Sequence, residues 1–454
     1  MKDSKKTEKH DSARRRTGVW GVFAILLLGT SPALAADVVW CGADGSSFTN
    51  AANWVGGARP AAQDVCVFRP AGALTVLVPN GASYASGMRF ESGDTTFAVE
   101  GSFAYTGFAS VTGTVEVAEG ATFTMDTVCI EQKNRAYRKT GRGTWFQKGS
   151  VCRDTSSSSA CVLLVEEGTL DCATYLRIDT LAVSTGASCL IRGYNRVLGP
   201  CAVHLDGTLD ISIGKADPAM TVAGLDGCGT LSASETSRLV VKPAADCTFS
   251  GLLTGKLAFA LDSTAEGHLT LGRADALAGV ASVTVGNHLR FAPGIGTFRA
   301  PGWTVPTGES LCLEDMTGQP VTLLATSAMT LTGRAFSGAG QFAVSNATAE
   351  ATLTLGDGTT EAELSGFGAL GVRGKGKLVY RNAQPLVQTA ALVGNGAVFV
   401  GLPNVATAGV TLKDFRPRDG TKTLYAPLTI DGGDAVTAFS GFIAPAMNYC
   451  ESAA

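Results

Sequence analysis

Two adjacent carboxylates, a run of basic and aromatic side chains, and an Asn-Trp pair, which reads first as packing over the first coil, are the residues whose types could do chemistry in this chain. Glu166-Glu167 is an adjacent acidic pair. Hydrolysis of a glycosidic bond needs two carboxyl groups about 5 to 9.5 Å apart, one of them held as an acid. Neighbours on a strand point to opposite faces, however, and Gly168 follows at once, so the pair reads as a solvated turn. The run KNRAYRKTGRGTWF, 133–146, holds five basic residues and three aromatics, the composition of a patch for anionic polymers; because Arg142, Gly143, Thr144 and Trp145 also belong to a recurring glycine phrase, the competing reading is a core aromatic and a solvated basic loop. Asn53 and Trp54 offer an amide and a flat apolar ring on which a sugar can stack, and they are the candidate glycan-binding residues. GVRGKGKL, 371–378, lacks the spacing and following helix of a phosphate loop and reads as a turn of a repeat. SSSSA, 156–160, reads as a loop leaving the regular structure.

Metal and cofactor chemistry find no support in the pattern. The chain has 12 Cys but 4 His, of which His204, His268 and His288 follow the leader, and no CxxC or HxxxH spacing occurs. No metal, cofactor or catalytic residue is therefore expected. Cys41 and Cys66 flank one short segment and are the first candidates for a disulfide; the other cysteines read equally as disulfides or as buried apolar thiols.

The elements that must position these residues are short strands. Lys2, Lys5, Lys6, Lys9 and Arg14 to Arg16 precede an apolar run from Val19 to Leu28, and Ala33-Leu34-Ala35 fits a cleavage site, so residues 1–35 are expected to be a signal peptide. Without them the chain carries 29 basic and 36 acidic residues, a net charge of −7. That acidity disfavours nucleic acid, whose binding depends on Lys and Arg neutralising phosphates. No further apolar run is long enough to span a bilayer, and no membrane span is expected in the mature chain. Localisation is then extracellular, at the cell surface, or periplasmic.

Glycine is frequent, 56 of 454 residues, and recurs in one phrase. Its long form, G-x-G-x-apolar, stands at 141–145, 227–231, 338–342, 374–378 and 394–398; its short form at 113–115, 168–170 and 207–209. Alternating runs follow, such as Leu209, Ile211 and Ile213 around Asp210 and Ser212, and TVEVAEG, LTLG and TLTLGDG elsewhere. Period-two alternation places successive side chains on opposite faces of a strand. Recurrence of one unit over more than 300 residues predicts stacked coils that bury each other's apolar faces. The expected fold is all-β, a right-handed parallel β-helix of about 20 to 25 residues per coil with an N-terminal capping segment; several β-sandwich domains are the alternative. The expected division is 1–35 signal peptide, 36–100 cap, 101–435 solenoid and 436–454 tail.

KTGRGTW, 139–145, and HLTLGRADALAGVASVTVGNHLRF, 268–291, resemble the β-strand repeats of autotransporter passenger domains. WCGADGSSFTNAANWVGGARPAAQDVCVF, 40–68, resembles the opening segment of such secreted repeat proteins through Trp40, Gly42, Gly45, Asn53, Trp54, Gly57, Pro60, Asp64, Val67 and Phe68. Phe48 stands where Trp is usual, and Cys41 and Cys66 are additions. In such proteins the segment looks like the cap over the first coil. The last residues, from Asp431 to NYCESAA, lack the alternating strands of a translocating barrel, so the resemblance does not extend to self-translocation. It implies an exported structural or adhesive protein without catalysis, with cell-surface glycans or host or neighbouring surface proteins as partners. A polysaccharide-active β-helix enzyme and a glycan-binding module centred on the cap are the competing expectations. A row of carboxylates and basic residues along one strand face would favour the enzyme.

Overall fold

The computed structural model describes residues 36–430 apart from 80–82, 85, 101–103, 109–111, 127, 133–134, 150, 154–160, 174–175, 193–200, 213–218, 337–339, 357–362, 366–368, 381–385, 395–396, 401–409, 418–421 and 425–427. The described residues from Asp37 on form a parallel β-solenoid. Asp37–Val39 pairs with Val65–Phe68, which pairs with Gly87–Phe90, which pairs with Thr112–Val117, all in parallel. The same stacking continues to Val410–Pro417 against Leu428–Ile430. Residues 65–99 thus already belong to the stacked coils that the sequence predicts only after residue 100. Coil length also varies more widely than the sequence suggests. The coil that brings Val165 beside Val183 is short, whereas the one that brings Phe342 beside Leu370 is long.

Alternation is realised as expected. Leu209 and Ile211 are wholly buried and Asp210 is half-exposed; Val115 and Val117, Leu269 and Leu271, and Leu353 and Leu355 all face inward. Ile213 lies outside the described residues. The first coils are filled by aromatic rings stacked along the solenoid axis: Phe68 on Phe90 at 5.1 Å, Phe90 on Phe123 at 4.0 Å, then Trp145 6.0 Å further. Aliphatic side chains and thiols succeed them, including Cys161, Cys172, Cys189 and Cys201. Burial raises the Cys172 and Cys201 thiols to about 12 and Cys189 well above its usual range, so these groups stay protonated and pack as small apolar side chains.

The recurring glycines have a steric cause. Thr144, Thr169, Ser188, Thr208 and Thr230 occupy one column on successive coils, and Gly143, Gly168, Gly207 and Gly229 immediately precede four of them. A Cβ on Gly143 would stand 2.6 Å from the Ala121 carbonyl oxygen, and one on Gly168 2.5 Å from the carbonyl oxygens of Gly141 and Gly143. At this corner the backbone of each coil lies against the carbonyls of the one before, leaving no room for a side chain.

Candidate functional site

The residues singled out from sequence are mostly used internally. Trp54 and Asn53 are both buried, at 1% and 0% exposure. Trp54 packs edge-on to Trp40 and Phe48 and donates from Nε1 to the Phe48 carbonyl at 3.0 Å. Asn53 accepts from the Asp44 amide at 2.7 Å and donates to the Ser47 carbonyl at 3.0 Å, which closes the cap loop. Neither presents a face on which a sugar could stack. Cys41 is exposed, its Sγ 3.5 Å from the Ala52 carbonyl oxygen, whereas Cys66 points into the core; no disulfide is formed among the described residues.

The basic run is absorbed in part: Arg142 stays exposed, and Lys133 lies outside the described residues. Tyr137 and Trp145 are core, and Arg138 donates to Glu166 at 2.7 and 3.1 Å. Lys139 is fully buried, its Nζ donating to the carbonyls of Thr140, Gly141 and Glu167 at 2.9, 2.5 and 3.0 Å. Burial, opposed by the charge of Glu167, lowers its ammonium to about 8. An anionic-polymer patch at 133–146 would therefore have to act without Lys139 and with Arg138 already engaged. GVRGKGKL lies within the strand Ala369–Tyr380 rather than at a turn, and SSSSA lies outside the described residues.

A polar face that the sequence does not announce lies on the outer side of the coils between residues 204 and 290. The strands Cys247–Phe249, Leu269–Leu271 and Leu289–Phe291 form a three-stranded parallel sheet. Cys247, Phe249, Leu269, Leu271, Leu289 and Phe291 face inward, so Thr248 and Arg290, which alternate with them, reach water, while Thr270 between them is covered. One outer column reads Thr248, Thr270, Arg290. The column two positions earlier along each strand reads Asp246, His268, His288. His204 and Asp226, paired in register, extend the first column over two preceding coils.

Asp246 ties three coils together. Its Oδ1 accepts from the His268 amide at 2.9 Å and from His268 Nδ1 at 3.0 Å, and its Oδ2 accepts from Arg290 Nη1 at 3.0 Å. Arg290 Nη2 lies 3.4 Å from His268 Nε2. The set closes when His268 carries its proton on Nδ1 and accepts through Nε2. The group remains open to solvent, with side-chain exposures of 62% for Asp246, 41% for Arg290 and 30% for His268. His288 donates from Nδ1 to the Gly267 carbonyl at 2.9 Å, its ring 5.7 Å from that of His268.

The carboxylates of this face are tuned differently. Asp246 is held below its ordinary range, chiefly by the His268 side chain and against the effect of burial. Burial raises Asp226 above its ordinary range despite the 2.8 Å hydrogen bond from the Thr248 amide. Burial pushes Asp206 upward too, but it accepts from the Cys228 amide at 3.1 Å and from His204 Nε2 at 3.0 Å, and the net shift is downward. Asp206, Asp226 and Asp246 recur at an even spacing, and each accepts an amide 22 residues ahead. That spacing is the trace this face leaves in the sequence, and it does not by itself give the register that brings Asp246, His268 and Arg290 together. Among the described residues no group of three or more His, Cys, Asp or Glu side chains is arranged to hold a metal ion. No protein-family model, curated protein or solved structure matches this chain.

Proposed function

We propose that the chain is an exported structural and adhesive β-solenoid of a bacterial cell surface or extracellular space, with surface glycans or neighbouring surface proteins as partners. The leader-like segment 1–35 and the resemblance to autotransporter passenger repeats support export. One observation carries the adhesive reading: the face from His204 to Arg290 presents polar side chains in register across successive coils while the inner side of the same strands is apolar. Side chains held by neighbouring coils lose little conformational entropy on contact with a partner.

The test is to express the full chain in a bacterial host, fractionate it, and measure retention of the purified protein on immobilised cell-surface polysaccharide and on intact cells. Recovery beyond the inner membrane without residues 1–35, together with retention, is expected. A chain that stays in the cytoplasm with its leader intact removes the export claim, and an exported chain that adheres to nothing removes the adhesive one.

A second reading, a polysaccharide hydrolase, is favoured by Asp226 and Asp246. They are diagonal neighbours on one face, roughly 8 Å apart at Cα from strand spacing and rise, and inverting hydrolysis uses two carboxyl groups about 6.5 to 9.5 Å from each other. One is shifted upward and the other downward, as an acid and a base require. Release of reducing ends from a polysaccharide panel, lost in both Asp226→Asn and Asp246→Asn, would establish it; a chain that leaves every polymer intact would dismiss it.

A further inference from the structure

We propose that Asp246 and Arg290, flanked by His288, form a binding site for the vicinal diol of a neutral sugar. This rests on the adhesive reading above and names the ligand class that the polar face takes. The argument begins with the hydrogen-bonding capacity left over within the group. A carboxylate has about four acceptor positions and a guanidinium five N–H donors. Asp246 accepts three hydrogen bonds, two on Oδ1 and one on Oδ2, which leaves acceptor capacity on Oδ2. Arg290 commits one N–H to Asp246 and one to His268, which leaves three donors. His288 donates through Nδ1, so its Nε2 is an acceptor in the neutral ring.

Acceptors and donors therefore stand side by side on a solvent-facing surface, and the two kinds of ligand they might take are distinguishable. An anion such as sulfate, phosphate or a uronate carboxylate only accepts, so it would use Arg290 and be repelled by Asp246. The surrounding charges reinforce this. Asp206, Asp226, Asp246 and Asp262 outnumber Arg290 and Lys242 on and around this face, and the local field is negative. A hydroxyl both donates and accepts. Two vicinal hydroxyls can give a proton to Asp246 Oδ2 and receive one from Arg290 at the same time, satisfying both leftover valences without adding charge.

The group is also rigid before any ligand arrives. Asp246 is tied to the backbone of the next coil through the His268 amide, and Arg290 is anchored at both ends of its fork, to Asp246 and to His268. Three side chains from three successive coils are thereby fixed relative to one another by the ladder of the sheet. Such pre-organisation reduces the ordering cost that ordinarily weakens recognition of small polar ligands. Thr248, exposed two positions beyond Asp246 on the same face, adds a further hydroxyl within the same surface.

The experiment is retention of the full-length protein on beads carrying mannose-, galactose- or glucose-terminated oligosaccharides, with polygalacturonate and heparin beads as the acidic arms. Retention on at least one neutral arm is expected to fall tenfold or more in Asp246→Asn and in Arg290→Gln, with unchanged circular dichroism, while Lys256→Gln on the neighbouring strand Leu252–Leu261 behaves as wild type. Mild periodate, which cleaves vicinal diols, tests the ligand without any variant: beads treated with it should no longer retain the wild-type chain. Retention that survives periodate, or that is equal in wild type and both variants, overturns the site. So does retention confined to acidic polymers and strengthened by Asp246→Asn. A chain that is exported and adheres to cells yet retains no neutral glycan removes this site and leaves the adhesive reading standing; one that retains the glycan but is never exported keeps this site and removes the export claim.

Discussion

Gly143→Ala separates the steric explanation of the glycine phrase from a merely conformational one. Gly143 does not occupy the left-handed region, so alanine could adopt its backbone angles; the obstacle is space. Its Cβ would lie 2.6 Å from the Ala121 carbonyl oxygen and closer still to that of Ala118, where ordinary contact begins at 3.4 Å. Relief of the nearer contact requires the two coils to part by roughly 1.2 Å, a quarter of the ~4.8 Å strand spacing. Two hydrogen bonds cross that gap: Gly143 N to Val117 O at 2.8 Å and Thr144 N to Ala121 O at 3.2 Å. Both would stretch to about 4 Å or beyond, where a hydrogen bond no longer counts as formed. At about 1 to 3 kcal/mol for each buried group left unpaired, the substitution should cost roughly 2 to 6 kcal/mol.

Two neighbouring glycines supply the controls. Gly120 has φ of +79° with nothing near a Cβ, so Gly120→Ala should cost about 1 to 2 kcal/mol from backbone strain alone. Gly72 has neither constraint, and Gly72→Ala should be neutral or stabilise by up to about 1 kcal/mol. Urea unfolding followed by circular dichroism should rank the three variants in that order. A Gly143→Ala protein no less stable than Gly120→Ala would refute close coil approach as the reason for the phrase.

Three further outcomes follow from the interior and the outer columns. Ile211→Asp buries a charge at a site with 0% exposure and should destabilise by roughly 4 kcal/mol or more, whereas Asp210→Asn, which weakens acceptance from the Ser212 amide and the Ser232 hydroxyl, should cost about 1 kcal/mol by the same unfolding assay. Iodoacetamide at pH 8 should label Cys41 and, more slowly, Cys228, whose thiol Asp206 raises, while sparing Cys172, Cys189 and Cys201 until urea is added; equal labelling of these three in the native chain would contradict their burial. Lys139 loses its proton near pH 8 when folded and near 10.5 when unfolded, so the unfolded state holds more protons in that window and stability rises with pH, by about 3 kcal/mol over 2.5 units relative to Lys139→Met; a difference in urea midpoints that is flat or falls from pH 7.5 to 10.5 would show that the three carbonyls hold the ammonium charged.

The solenoid is legible because two independent signals agree. Alternation places Leu209 and Ile211 inward, but it would do the same in a β-sandwich. The glycine phrase decides the matter, since only stacking of successive coils in register brings Gly143, Gly168, Gly207 and Gly229 to one corner. Lys139 reads from sequence as a solvated loop residue, yet the strand Arg135–Thr140 puts it in the interior beside the turn. A lysine at the inward end of a strand can still satisfy its ammonium when its flexible stem reaches the turn carbonyls, and composition cannot show that those carbonyls are there. Trp54 is the opposite case: a ring suited to stacking on sugar is needed to close the first coil.

The polar face is hidden from the sequence for a different reason. Asp246, His268 and Arg290 are 22 and 44 residues apart, and such residues meet only if the coil length between them is known. Coils as unequal as those joining Val165 to Val183 and Phe342 to Leu370 make that register unreadable from one sequence. The variation itself has a physical basis. Inward positions must match their neighbours in size and polarity, and corner positions must leave room for the preceding carbonyls, so neither can change freely. Loops can lengthen at small entropic cost, and outward side chains answer only to the partners beside them in the same column. Asp246 and Arg290 occupy positions where Thr or Ser would serve the ladder equally well, and Arg290 spends an exposed guanidinium on a contact worth about 1 kcal/mol or less to stability. Folding gains little from that exposed ion pair, so the proposed recognition of a diol gives three coils a reason to hold Arg290 in place.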